Sequence, residues 1–158
     1  MKRSFVIRRI LVCALALAPF AASAEETGAA AVDAAWENAM KSGDLDAVVA
    51  CYAEDAVLWL PGAPEARGSK AIRETYAGML AANTVTEASI ANAHYETCQN
   101  LSVGWGNFVL ALQPKQGGAP SVIHGRFADV AKRIKGRWHY VADHASADPA
   151  PAPAAAKP

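Results

Sequence analysis

Cysteine and histidine are scarce in this chain, which has three cysteines and four histidines among its 158 residues. The cysteines form no pair at zinc-finger spacing, and His94, His124 and His139 stand too far apart in sequence to resemble a ligand set. We therefore predict no metal site and no cofactor. If the first 24 residues are removed, Cys51 and Cys98 remain. In an oxidising compartment they form either a disulfide or two separate thiols, and the sequence leaves both open.

The chain also lacks an apolar run long enough to span a membrane. Its longest one, Ile10–Phe20, is shorter than the ~20 residues that a span requires. Basic residues precede this run, and the small residues Ala22, Ser23 and Ala24 follow it. This order is typical of a bacterial secretory signal. We predict that residues 1–24 are cleaved and that the mature protein is secreted, most simply into the periplasm.

An excess of positive charge is missing as well. Cleavage would remove four basic and no acidic residues, leaving 11 basic and 15 acidic ones and a net charge of −4. A mildly acidic domain does not favour binding to nucleic acid or, after cleavage, to an anionic membrane. Residues 148–158, DPAPAPAAAKP, cannot form a core, so we predict one domain at 25–147 and a disordered tail.

Three helical patterns open the domain. Val32, Trp36 and Met40 have helical spacing and stop at Gly43, and Asp44 can cap a second helix. Glu54-Asp55 is interpreted as a polar break that ends this helix, followed by a short strand at residues 56–60. Ser69 is predicted to cap the third helix.

The second half is rich in β-prone residues. Strands are predicted at residues 85–95, 103–112, 121–131 and 138–146, with turns near Gln99-Asn100, Gly117-Gly118 and Lys135-Gly136. This order predicts an α+β fold in which the helices lie on one face of a curved antiparallel sheet. Both sheet faces carry apolar residues, so we predict that a homodimer covers the outer one.

The alternation of side chains along a strand assigns them to the two faces of the sheet. In the last strand it groups Trp138, Tyr140 and His144, and in the preceding strand it groups His124 and Arg126. Arg126 and His144 then fall on corresponding faces of neighbouring strands. Alternation does not decide which face looks at the helices.

Two segments resemble a known family. GDLDAVVACYAEDAVLWLPGAPEARGSKAIRETY is similar to the opening of SnoaL-like and ketosteroid isomerase-like proteins of the nuclear transport factor 2-like superfamily. GRFADVAKRIKGRWHYVADHAS resembles the closing hairpin of secreted SgcJ/EcaC-type members and of bacterial relatives of the kinase II association domain. The resemblance covers about residues 30–148. It implies a cone-shaped sheet wrapped around three N-terminal helices, a pocket and often a dimer, while leaving the activity open.

The resemblance implies two tests of isomerase chemistry. Ketosteroid isomerases use an aspartate base on the first strand, and a tyrosine and a protonated aspartate as hydrogen-bond donors. Ungapped alignment through GDLD puts Leu60 at the base position and Trp36 at the tyrosine position. Leucine cannot accept a proton, and an indole N–H is a weaker acid than a phenol. Ketosteroid isomerase activity is therefore not expected.

Arg126 and His144 are the remaining candidates for chemistry. Together they could bind a carboxylate, with His144 as the acid–base residue. The alternatives are an ion pair of Arg126 with Asp129, Asp143 or Glu96, and a buried, hydrogen-bonded core role for His144. The predicted pocket also includes aromatic and apolar side chains, namely Trp36, Tyr52, Leu60, Tyr76 and Trp138.

Three functions remain open at this point. The first is a binding domain for a small molecule, for example one that carries a carboxylate. The second is a SnoaL- or SgcJ-type isomerase, cyclase or oxidoreductase that uses His144. The third is a scaffold whose fold serves only to oligomerise.

Overall fold

The computed structural model describes residues 27–149. The predicted secretory signal and most of the predicted tail lie outside these residues. The elements in chain order are α1 (Ala29–Ser42), α2 (Leu45–Ala50), β1 (Tyr52–Trp59), β2 (Ala66–Arg67), α3 (Gly68–Ala82), β3 (Asn83–Cys98), β4 (Leu101–Pro114), β5 (Ser121–Ile134) and β6 (Arg137–Ala147). Apart from the short β2, this is the predicted order of helices and strands, and the α+β class is confirmed.

The junction between the first two helices has the predicted caps. Gly43 takes the left-handed conformation, with φ of 68°, and its N–H bonds the carbonyls of Ala39 and Met40. The Asp44 carboxylate then accepts a hydrogen bond from the Ala47 N–H at 3.0 Å. Both helix boundaries follow from these local contacts.

Two boundary predictions are wrong. β1 begins at Tyr52, four residues earlier than predicted, and continues through Glu54-Asp55, whose side chains are exposed while their neighbours are buried. The pairing of β1 with β6 shifts between Tyr52 and Val57, so an irregularity absorbs the polar pair within the strand. Ser69 does not cap α3; its hydroxyl donates to the Glu54 carbonyl instead, at 3.4 Å.

The strands form one six-stranded sheet in the order β2-β1-β6-β5-β4-β3. All pairs are antiparallel except β1 with β6, which is parallel, so the prediction of an antiparallel sheet needs that one correction. The curved sheet packs α1 against β3 to β6 and α3 against β1 and β3. Met40, Val48, Leu58, Ile72 and Tyr76 are almost fully buried in this core. Burying each apolar side chain contributes about 1.5–3 kcal/mol.

An irregularity in β6 decides which side chains face the helices. β5 pairs Val130 with Ala142 and Ala131 with Tyr140, so Val141 is an extra residue on the β6 side. Tyr140 and Asp143 consequently share the inner face although they are three residues apart. Simple alternation, which places Tyr140 with His144, therefore fails at Val141.

The two cysteines described are unpaired, Cys51 buried and Cys98 exposed. Burial raises the pKa of the Cys51 thiol to about 12, which keeps it protonated. Among residues 27–149, no helix is both long enough and apolar enough to cross a membrane.

Candidate functional site

A cavity of about 260 Å³ lies between the helices and the inner face of the sheet. Its wall is largely apolar and includes Leu60, Met79, Ile90, Phe108, Leu110 and Phe127. Three aspartates interrupt this wall: Asp33 from α1, Asp129 from β5 and Asp143 from β6. An apolar cavity with a few convergent polar groups is the usual form of a small-molecule site.

Asp129 and Asp143 are direct cross-strand partners of β5 and β6. Directly opposed residues on one face of an antiparallel pair have Cβ atoms roughly 4.5–5.5 Å apart. Two ionised carboxylates at this separation repel each other, and their burial makes the repulsion stronger. The pair therefore favours a state in which one carboxyl keeps its proton.

A chain of hydrogen bonds leads to Asp143. The Trp36 indole N–H donates to the Tyr76 hydroxyl at 3.1 Å, the Tyr76 and Tyr52 hydroxyls are 2.7 Å apart, and the Tyr52 hydroxyl donates to Asp143 at 2.6 Å. An indole N–H can only donate a hydrogen bond, so the Tyr76 hydroxyl accepts from Trp36. The Tyr76 hydroxyl then donates its own hydrogen bond to the Tyr52 oxygen. Every donor in the chain thus points to Asp143, which is the arrangement that stabilises a carboxylate.

Asp33 accepts hydrogen bonds from the hydroxyl groups of two further tyrosines. One comes from Tyr140 and the other from Tyr95, which lies 2.8 Å from the second carboxylate oxygen. Burial raises the pKa of Asp33, and these two hydrogen bonds work against that rise. Asp33 is therefore a buried acceptor held in place by two donors.

Asp129 has no such support. It is 3% exposed, and no side-chain N–H or O–H of a tyrosine or tryptophan donates to its carboxyl oxygens. Its polar neighbours are the Asp33 carboxyl, to which a neutral Asp129 can donate, and the Gly104 backbone. Its partner on β4 is Gly104, where even a Cβ atom would lie only 2.9 Å from the Asp129 Oδ1. A carboxyl that is buried without donors favours its neutral form.

The two opposed carboxyls consequently differ in acidity. Burial, and then the negative charges of Asp33 and Asp143, raise the pKa of Asp129 to about 8. Burial also raises the pKa of Asp143, but the hydrogen bond from Tyr52 opposes it and the result is about 6. Near pH 7, Asp143 is mostly a carboxylate and Asp129 is mostly a neutral acid. Carboxyl groups whose environments separate their pKa values in this way are suited to act as base and acid.

The structure brings several predicted site residues together. Trp36, Leu60 and Tyr76 line the cavity. Tyr52 lies behind this wall, 5% exposed, and acts through its hydrogen bonds to Tyr76 and Asp143.

The prediction that Arg126 faces the pocket is wrong. Arg126 lies on the outer face of β5, where it forms an ion pair with Asp148 at 3.0 Å. Its inward neighbours on β5 are Phe127 and Asp129. The predicted alternation in β5 is correct, but the face that carries Arg126 turns away from the helices.

The predictions for His144 and Trp138 are also wrong. His144 is exposed on the outer face, with its ring 6.3 Å from that of Trp59. The extra residue at Val141 exchanges the faces of the strand beyond it, so Asp143 takes the inward place and His144 the outward one. Trp138 lines a separate surface groove near Arg133 and His139 instead of the cavity.

The residues that sequence reasoning missed are the three aspartates and Tyr140. Asp33 is a single acid in the alanine-rich AAAVDAAW segment, one helical turn before Trp36. Asp129 alternates with the apolar Phe127 and Ala131 on one strand face. An acid at an apolar position of a helix or strand pattern was the available signal. Within residues 27–149, the structure contains no cluster of three or more His, Cys, Asp and Glu able to hold a metal ion.

A curved sheet packed on N-terminal helices around a cavity defines the nuclear transport factor 2-like class, which is also described as a cystatin-like fold. Residues 32–141 match the family model of the SnoaL-like domain. The chain belongs to this family, which confirms the resemblance seen in the sequence.

Solved structures agree on the fold. A protein of Xanthomonas campestris assigned as a calcium/calmodulin-dependent protein kinase II association domain is 23% identical, with a TM-score of 0.68 over 77% of this chain and 86% of its own. An assigned dehydratase of Streptomyces avermitilis is 17% identical, with a TM-score of 0.67 over 75% and 93%.

A ketosteroid isomerase-like protein of Erwinia carotovora is 21% identical, with a TM-score of 0.61 over 74% and 91%. At these identities the likenesses show the fold alone. No curated protein matches the chain.

Proposed function

We propose that this protein binds a small, largely apolar carbonyl compound in the cavity and catalyses proton transfer on it. The observation that carries the proposal is the opposed pair of Asp129 and Asp143. Asp129 accepts no hydrogen bond from a described side chain, whereas Asp143 lies at the end of a chain of side-chain donors. General acid–base catalysis requires such a pair within reach of the same substrate. The apolar wall would hold the substrate and keep water out.

In this mechanism Asp143 is the base. Its carboxylate removes a proton from the carbon next to the carbonyl. The C–H electrons form the carbon–carbon double bond of an enolate, and the π electrons of the carbonyl move to its oxygen. Tyr52 orients the carboxylate through the bond at 2.6 Å, with Tyr76 and Trp36 behind it. These three residues are positioning residues, since they act through Asp143.

Asp129 is the acid. In an isomerisation it donates a hydrogen bond to the carbonyl oxygen while negative charge develops there, and Asp143 then returns the proton to a different carbon. In a dehydration, the enolate re-forms the carbonyl and its carbon–carbon electrons expel a β-hydroxyl group, to which Asp129 gives its proton, so that water leaves. The proton on Asp143 then passes to Asp129, and both carboxyls return to their starting states.

The relatives are compatible with such chemistry, because they include an assigned dehydratase and a ketosteroid isomerase-like protein. The catalytic positions differ from the steroid-isomerase pattern, since Leu60 and Trp36 replace its base and tyrosine. The base proposed here lies on the last strand instead of the first. No lysine, arginine or histidine lines the described cavity, so a carboxylate ligand, considered from the sequence, is not favoured.

The proposal can be tested with 2-tetralone, a bicyclic ketone, incubated with the protein in D₂O and followed by proton NMR. Catalysed loss of the α-proton signals supports acid–base chemistry. Binding of 2-tetralone without any catalysed exchange would instead favour the alternative of a binding protein without chemistry. The effect of the Asp143 variant on this rate is argued in the Discussion.

We also propose that the protein forms a homodimer through its outer sheet face. One row of exposed side chains crosses five strands there: His94, Trp105, Ala128, His144 and Trp59. Trp105 is 41% exposed and stacks on His94. Exposed tryptophans grouped in this way are typical of an interface.

Light scattering coupled to size exclusion should give a dimer mass for the wild type and a monomer mass for Trp105→Glu. Because dimers dissociate on dilution, a wild type that is still monomeric at about 100 µM would contradict the dimer. A dimer would leave room for the scaffold role only if the cavity proves to bind nothing.

Secretion is proposed on the sequence alone. Expression of the full chain in a bacterium should yield a periplasmic protein. Its intact mass should match a chain that begins at Glu25. A cytoplasmic protein that retains residues 1–24 would contradict this proposal, whereas cleavage at a neighbouring residue would only move the site.

A further inference from the structure

The ionisable side chains that line the cavity are all acidic. Asp33, Asp129 and Asp143 all line it, and no lysine, arginine or histidine does so within the described residues. Asp33 and Asp143 accept hydrogen bonds that support a negative charge, from Tyr140 and Tyr52 respectively. The cavity therefore has a negative potential, which opposes an anionic guest and favours a cationic one.

Asp129 provides a specific place for such a cation. It is 97% buried and lines the cavity, and its carboxyl oxygens accept no hydrogen bond from a side-chain donor of the described residues. An ammonium group offers several N–H donors on one nitrogen, enough to reach both oxygens. The neighbouring apolar wall includes Phe108 and Phe127, which suits the ring of an aromatic amine.

We propose that the cavity binds ring-sized organic primary amines as ammonium ions, with the ammonium paired to the Asp129 carboxylate. This site is the cavity of the proposed function, but amine binding depends only on its charge and shape. Such amines would occupy the place of the carbonyl substrate and would inhibit any proton-transfer activity.

Binding should release a proton, because Asp129 is mostly neutral in the empty protein at pH 7 and must ionise to form the pair. The charged and polar groups around Asp129 are Asp33 from α1 and Asp143 and Tyr140 from β6. On β4, Gly104 lies against Asp129, with the Tyr95 ring of β3 beside it. Burial raises the pKa of Tyr140 well above its ordinary value, so its hydroxyl stays protonated near neutral pH. Asp33 and Asp143, when ionised, hinder the ionisation of Asp129 but attract the amine.

Isothermal titration calorimetry with benzylamine tests the proposal, with benzyl alcohol and benzoate as neutral and anionic probes of similar size. Titrations at pH 7 in phosphate and in Tris, whose ionisation enthalpies differ, should show release of about one proton per benzylamine. Affinity for benzylamine should increase up to about tenfold between pH 6 and pH 7, and level off above pH 8. Benzyl alcohol should release no proton, and benzoate should bind most weakly.

Asp129→Asn should lower benzylamine affinity by about tenfold or more and abolish proton release, as expected when a charged hydrogen-bond partner is lost. Arg126→Ala, on the outer face, is the matched control and should bind as the wild type does. Benzoate binding as tight as that of benzylamine, or no detectable benzylamine binding, would overturn the proposal. So would unchanged affinity in Asp129→Asn. If the protein catalyses proton exchange of 2-tetralone but binds no benzylamine, the amine-binding inference is wrong and the proposed function stands.

Discussion

Asp143→Asn should reduce the rate of α-proton exchange into 2-tetralone by about 100-fold or more. General acid–base groups contribute roughly 10²–10⁴-fold to a rate, and an amide cannot accept the proton. The amide can still accept the hydrogen bond from the Tyr52 hydroxyl, so the cavity should keep its shape. The measurement is the exchange rate by NMR, with circular dichroism to verify folding.

The pH dependence of kcat/KM provides a second measurement of the same assignment. The base must be ionised and the acid protonated, so the wild-type rate should rise through the Asp143 pKa of about 6 and fall through the Asp129 pKa of about 8. Tyr52→Phe removes the bond that lowers the Asp143 pKa, and should move the acidic limb to higher pH.

His144→Ala and Arg126→Ala provide controls for this assignment, because both side chains lie on the outer face. They should exchange 2-tetralone at the wild-type rate. A rate in Asp143→Asn within a factor of about three of the wild type would exclude Asp143 as the base, since a general base contributes far more than that. Activity lost in His144→Ala but kept in Asp143→Asn would return the chemistry to the residue that the sequence first indicated.

Local signals predicted the fold well. Gly43 and Asp44 fix the α1–α2 junction through contacts within a few residues, and the turn at Lys135-Gly136 has positive φ at both positions. Gln99, with φ of 54°, likewise marks the predicted β3–β4 turn. Such signals depend on neighbours in the chain, and for that reason a sequence can carry them. The parallel contact of β1 with β6 joins distant segments and has no comparable local signal.

The candidate site was predicted less well because it depends on sheet register. The alternation of side chains along the strands predicts that Arg126 and His144 lie on one face of the sheet. They do share a face, but it is the outer one. The extra residue at Val141 is what turns Asp143 inward and His144 outward. A bulge needs no special residue type, and valine gives no sign of it. The side of the sheet that helices cover was equally open, since both sides carry apolar residues.

The aspartates illustrate a second limit. The sequence suggests Asp129 and Asp143 only as partners for Arg126, because a buried acid is normally paired with a base. In the structure they are paired with each other across β5 and β6, and Asp33 faces the same cavity. Such an arrangement costs stability, and proteins tend to retain it where function requires it.

Asp129→Asn should therefore stabilise the protein, by about 1–2 kcal/mol at pH 8, or roughly 4–10 °C in Tm. The folded-state pKa of Asp129 is raised from 3.8 to about 8, so the folded state binds a proton that the unfolded state has lost. Its contribution to stability is fully present below about pH 4 and is lost as the pH rises toward 8. Asp143, with a pKa raised to about 6, adds a decline of the same sign at lower pH. In Asp129→Asn, the free energy of unfolding should therefore no longer fall between pH 6 and pH 8 as it does in the wild type.

Urea unfolding at pH 5, 6, 7 and 8, followed by tryptophan fluorescence, measures this slope. Asp55→Asn is the matched control, because it removes the same charge from an exposed position on β1. Its stability should stay within about 0.5 kcal/mol of the wild type at every pH. An Asp129→Asn protein that is less stable than the wild type at pH 8, or that keeps the full decline between pH 6 and pH 8, would contradict a neutral Asp129. It would then also remove the acid from the proposed mechanism, because a carboxylate already ionised at pH 7 has no proton to give to a substrate oxygen.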